Sequence, residues 1–242
     1  MELLDQFLLI GLPYTVIVTF LVGTIYRYKA TKFSYSSLSS QFLEGRKLFW
    51  GVIPFHWGIL FLFLGHLTAF LIPRGVLAFN SQPVRLLILE GTALIFGLMV
   101  FFGLVTLLIR RISDPRLKPV TTRVDLVILG LLLLQTILGV ATALTYRWGS
   151  SWFATVLTPY LRSIFIFKPD IAAVSTLPWL VKLHIVGAYL IFAMVPFSRL
   201  VHLLVLPLHY IWRPYQRVIW NWPRRSVRNP ESEWNFTQPR NN

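Results

Sequence analysis

Five long apolar runs govern what this chain can become: Phe7–Tyr26, Trp50–Ile72, Leu86–Ile109, Val124–Tyr146 and Trp179–Leu208. About 20 residues cross the hydrocarbon core of a bilayer as a helix, and each run reaches that length. None alternates like a strand, and backbone groups in lipid must be satisfied within their own segment, so each run is predicted to be a transmembrane helix. Only 13% of residues are charged, well below the roughly 25% of soluble domains. The expected fold class is all-α integral membrane, a five-helix bundle. Pro13, Pro54 and Pro196 fall within or near the ends of spans and are expected to bend them.

The formal net charge is +14. The basic residues sit beside the apolar runs and no nucleic-acid motif accompanies them, so they point to topology and anionic lipid rather than to DNA or RNA. Arg27, Lys29, Lys32, Arg46 and Lys47 lie between the first two runs, and Arg110, Arg111, Arg116, Lys118 and Arg123 between the third and fourth. More arginines follow the fifth, including Arg213, Arg217, Arg224, Arg225 and Arg228. The loop after the second run holds only Arg74 and Arg85. The longer loop before the fifth is assigned Arg147, Arg162, Lys168 and Lys182. The positive-inside rule then predicts an outer N-terminus and a cytoplasmic C-terminus in a multi-pass protein of the cell membrane. Glu2 and Asp5 stand where a cleaved signal would be positive, so the first span is expected to be retained. The apolar stretch Trp152–Phe167 is short and carries Pro159 and Arg162, which favours an interfacial or re-entrant segment on the outer side. Residues 1–215 are read as the membrane domain. Residues 216–242 are read as a basic, Trp-containing tail that docks on a partner or is disordered.

Four histidines carry the chemistry. His56 and His66 lie on the second span, His184 and His202 on the fifth. An imidazole in hydrocarbon is costly, so an intramembrane histidine marks function by default. The two spans run in opposite directions, which pairs His66 with His184 at the outer level and His56 with His202 at the inner level. Two histidines on facing helices can clamp one haem iron from both sides. The chain has no cysteine. Covalent c-type haem and thiolate-held iron–sulfur clusters are therefore excluded, and two non-covalent b haems are expected. The spacings differ. Ten residues advance about 15 Å and eighteen about 27 Å along a helix. Unequal tilts, a bend near Pro196, or attachment from different sides of each haem would each reconcile them. Gly58, Gly65 and Gly187 flank the histidines and would admit a flat macrocycle, or would serve ordinary helix packing.

The stretches FHWGILFLFLGH (Phe55–His66), RRISDPRLKPVTTRVDLVIL (Arg110–Leu129) and KLHIVGAYLIFAMVPFSRLVH (Lys182–His202) resemble the gamma subunit of respiratory membrane-bound nitrate reductase, a diheme cytochrome b. The likeness runs through about Tyr215; the loop from Trp148 to Pro178 is its least similar part. The resemblance implies a distal haem on His66 and His184 and a proximal haem on His56 and His202. It implies quinol oxidation near the distal haem, with the membrane quinone pool as source. It also implies an iron–sulfur partner subunit that receives the electrons and a molybdenum subunit that reduces nitrate, with no nitrate-reducing site on this chain. A basic residue after the second span joins the quinol site in the family; Arg85, then Arg74, is the candidate here, against a snorkelling role. Glu90, an acid inside the third span, suits proton release from quinol, or else pairs with Arg85. Arg199, three residues before His202, suits a haem propionate, or else snorkels. The same electron-transfer role in a nitrite oxidoreductase or a sulfite-reduction-associated complex is an alternative. A haem-free transporter or channel with pathway-lining histidines is the rival from another class.

Overall fold

A computed structural model describes residues 2–31, 46–115, 117 and 120–205. The expected tail 216–242, residues 206–208 of the expected fifth span and most of the first basic loop lie outside the described residues. Among the described residues there is no strand. Five helices are long and apolar enough to cross a membrane: α1 (Leu3–Ala30), α2 (Arg46–Leu71), α4 (Pro83–Ser113), α5 (Arg123–Thr145) and the span beginning at Trp179, whose α-helix is α9 (Trp179–Met194). Short helices α3 (Pro73–Asn80), α6 (Gly149–Trp152), α7 (Thr158–Phe165) and α8 (Ala172–Ser175) fill the connections. Large apolar side chains face outward all along the spans, among them Val22 (62% exposed), Ile95 (58%) and Leu134 (52%). Such a surface suits hydrocarbon and not water.

The spans pack as a series: α2 on α4, α4 on α5, α5 on α9, and α9 on α1. The α2–α4 seam is made by glycine. A Cβ on Gly58 would lie 2.7 Å from the Phe96 carbonyl oxygen, and one on Gly103 would lie 2.7 Å from the Gly51 carbonyl oxygen. Only residues without side chains let two membrane helices approach so closely. Gly58 therefore serves helix packing, whereas nothing lies within 4 Å of a Cβ built on Gly65. The two histidine-bearing spans, α2 and α9, do not pack along their lengths among the described residues.

The stretch expected to be interfacial forms α6, a π-helical turn (Phe153–Leu157) and α7, and is not among the membrane-crossing helices. It crosses one end of the bundle and serves carbonyls that prolines have orphaned. Pro13 has no N–H for the Leu9 carbonyl four residues back, and the Tyr160 hydroxyl donates to it at 2.7 Å. Pro73 likewise leaves the Ala69 carbonyl free, and Thr158 Oγ1 donates there at 3.1 Å. Arg162 caps the end of α2 through the carbonyls of Phe70 (2.8 Å) and Leu71 (3.1 Å). Leu157, Tyr160 and Ile164 complete a buried cluster with Leu9, Val174, Val181 and Ile185.

The fifth span departs from a continuous helix. Its α-helix ends at Met194, Val195–Phe197 form a 3-10 turn, Ser198 is extended, and Arg199–Leu204 form a second 3-10 turn. Pro196 is the cause, since it offers no N–H to the preceding turn. Arg27 of α1 stabilises the break: its Nη1 donates to the carbonyls of Pro196 and Ser198, both at 2.7 Å. The Pro196 ring lies on Gly23, where a Cβ would approach within 2.9 Å. The expected bend near Pro196 is present.

Candidate functional site

The four histidines share one local arrangement. Nδ1 of His56 lies 2.9 Å from the Val52 carbonyl oxygen, Nδ1 of His66 2.7 Å from that of Leu62, and Nδ1 of His202 pairs with that of Arg199. His184 reaches further: its Nδ1 lies 3.1 Å from the carbonyl oxygen of Gln135 on α5. A carbonyl can only accept, so each Nδ1 carries the proton and each Nε2 keeps its lone pair. This is the tautomer that a metal-ligating imidazole needs, with its other nitrogen oriented by a backbone acceptor.

The structure brings His56 and His202 together, with ring centroids 6.3 Å apart. An imidazole nitrogen sits about 2.0–2.1 Å from a bound metal, so two rings on one iron have centroids roughly 6 Å apart. His66 meets Phe153 edge-on at 5.2 Å. His184 lies against α5, its Cε1 2.9 Å from where a Cβ on Gly139 would sit. Among the described residues, no three or more His, Cys, Asp or Glu side chains gather as a metal-ion cage. Paired imidazoles without further protein ligands would suit a haem, whose iron would need only two ligands from the protein. The open space at Gly65, beside His66, leaves room on that side. The residues present therefore fit b-type haem.

The other candidates take definite partners. Arg85 lies over Phe79, 5.8 Å from the ring centroid, and Arg74 is exposed on α3. Among the described residues no ion pair joins Arg85 to Glu90. Glu90 Oε1 instead accepts from the Ser150 backbone N–H (2.9 Å) and hydroxyl (2.6 Å), and Asn80 Nδ2 donates to the Ser150 and Ser151 hydroxyl oxygens. Arg199 binds Asp125 at 2.7 Å and the Val120 carbonyl at 3.1 Å.

Several residues in this framework were missed by sequence reading. Asp125 is 4% exposed, closes a capping box with Thr122 and also binds Arg111 at 3.2 Å, so it ties the ends of α4, α5 and the 3-10 turn of His202. Gln135 donates from Nε2 to the His184 carbonyl at 2.9 Å. Lys182 lies in the first turn of α9 and not in the loop. Its Nζ is 2.9 and 3.0 Å from the two Asp5 carboxylate oxygens and 4.8 Å from the Trp179 ring centroid. Only the Thr122–Asp125 cap is a local sequence pattern; the others are long-range.

Taken together, these features define a class: a multi-pass helical membrane protein with oriented histidines on two of its spans. Within that class the chain belongs to the nitrate reductase gamma subunit family, whose model matches residues 5–221. It is 38% identical over 207 residues to the nitrate reductase gamma chain of Bacillus subtilis, covering 84% of this chain and 93% of that one. It is 30% identical over 226 residues to the respiratory nitrate reductase 1 gamma chain of Escherichia coli, covering 90% and 98%. The nitrate reductase-like protein NarX of Mycobacterium tuberculosis is 29% identical over 211 residues, 84% of this chain but 32% of that longer protein. The chain is thus a membrane subunit of a nitrate reductase and serves an oxidoreductase complex.

Proposed function

We propose that this chain is the quinol-oxidising cytochrome b subunit of its complex. His66 and His184 hold a distal b haem and His56 and His202 a proximal one. When bound, these groups supply one-electron transfer between quinol and the partner subunits. The observation that carries the reading is the common orientation of the four imidazoles, each with Nδ1 tied to a backbone carbonyl and Nε2 left to ligate. Two histidine ligands per iron leave no open position, which suits electron transfer and disfavours oxygen chemistry.

The basic loops support an outer N-terminus and a cytoplasmic C-terminus. The distal pair then lies toward the outer face, where quinol is oxidised. There Arg85 orients a quinol oxygen, and Glu90 Oε2, the carboxylate oxygen that Ser150 does not engage, takes a released proton. At the inner level Asp125 holds Arg199 beside His202, and Arg199 balances negative charge there. Electrons leave on the cytoplasmic side to an iron–sulfur subunit and then to a molybdenum subunit. Residues 1–215 form the membrane domain and the tail 216–242 docks on the iron–sulfur partner.

A pyridine haemochrome assay on the purified complex, with a reduced-minus-oxidised spectrum, tests the reading. Two b haems per chain are expected; one or none rejects it. His56→Ala and His202→Ala should each remove the same haem and spare the other.

A further inference from the structure

Three of the four imidazoles are oriented within their own segment: His56 and His66 by the carbonyl four residues back, His202 by the carbonyl three back. His184 alone takes its orientation from another span. Its ring Nδ1–H donates to the Gln135 backbone carbonyl at 3.1 Å, and the Gln135 amide Nε2 donates to the His184 backbone carbonyl at 2.9 Å. The same two residues are thus joined twice, in opposite directions, across the α5–α9 interface. The reciprocal pair fixes both the height and the azimuth of α9 at the level of His184.

Two further observations show that the site is shaped for this amide. A Cβ on Gly187, three residues after His184, would overlap Gln135 Oε1, so a side chain there shifts the amide. Gln135 Oε1 is itself buried without a hydrogen-bond partner among the described residues. An unsatisfied buried acceptor is an expense that a leucine at this position would avoid. The donor of the same amide is used, on the His184 carbonyl.

We infer that Gln135 is the positioning residue for His184, and that Gly187 is the recess that admits it. The inference rests on His184 ligating the distal haem. The Gln135 backbone carbonyl, accepting from Nδ1–H, raises the basicity of a ligating imidazole and fixes the ring plane, and the side-chain amide holds the two backbones in the register which that bond needs. A more basic ligand favours the oxidised iron, so loosening the clamp moves the distal potential upward.

The test uses the purified complex with Gln135→Met, which keeps the length of the side chain and removes the donor. Low-spin EPR and a redox titration read each haem separately. The expected result is a displaced EPR signal and a raised midpoint potential for the distal haem, with the proximal haem unmoved and two haems still present. Gly187→Ala should displace the same signal. Loss of the distal haem alone in either variant is the same effect carried further. Unmoved signals in both variants would overturn the inference, as would equal changes at both haems. Wild-type complex without haem would instead overturn the functional reading beneath it, so the two failures are distinguishable.

Discussion

Lys182 and Asp5 form an ion pair at 5% and 8% exposure, inside a protein whose surroundings are hydrocarbon. Removing one partner leaves a buried, uncompensated charge, which typically costs about 3–5 kcal/mol, whereas removing both is close to neutral. Lys182→Met should therefore lower thermal stability in detergent strongly, and Lys182→Met combined with Asp5→Leu should recover most of the loss. A double variant as unstable as the single would contradict this. Tyr160 gives a second prediction at the same scale. Its buried phenol must stay protonated to donate to Leu9, and burial pushes its pKa above the ordinary value. A raised folded-state pKa contributes stability that is complete below the unfolded value of about 10 and is lost as pH rises beyond it. Tyr160→Phe should flatten that alkaline loss in melting curves taken from pH 9 upward on this scale of titration. The histidines were legible in the sequence because an imidazole in an apolar run has no cheap explanation. Lys182 was not: three residues into α9 it reads as a loop charge, and only the fold brings Asp5 to it.

The fifth span shows what an element owes to its neighbours. Pro196 announces a bend, but not what becomes of the carbonyls the bend releases. Two of them go to Arg27, an arginine that sequence position assigns to topology alone. Arg27→Leu should leave those carbonyls without their donor, relax the turn that carries Arg199 and His202, and reduce the proximal haem by more than half while sparing the distal one. Haem-resolved spectra of the purified complex check this; equal loss of both haems would indicate a general folding defect. The segment 149–165 teaches the same lesson. Its shortness, Pro159 and Arg162 spoke against a span, and it is not one of the five. Its attachment was illegible, because Tyr160 and Thr158 answer to prolines at positions 13 and 73, far away in the chain.

For the whole molecule, five membrane-crossing helices were readable from run length alone. Their order of packing was not, since it depends on where glycines let backbones meet. Moving Lys182 from the loop into a buried ion pair removes one positive charge from the expected outer side and strengthens the charge asymmetry. A C-terminal reporter should accordingly be active only on the cytoplasmic side; activity only outside would invert the proposed orientation and move the partner subunits with it. Truncation after Arg217 should weaken attachment of the iron–sulfur subunit and leave both haems in place, which co-purification in high salt would check.

The Asp5–Lys182 contact also spans time. Its two residues are 177 positions apart, and at roughly 5–20 residues per second the ribosome needs on the order of 9–35 s to pass from one to the other. Until the fifth span is made, the Asp5 carboxylate lacks the Lys182 counter-ion it has in the fold. The first helix must keep its opening turn at the aqueous boundary until the fifth arrives. The fifth span is thus the one that lets the first settle, and closure of the bundle waits on its synthesis.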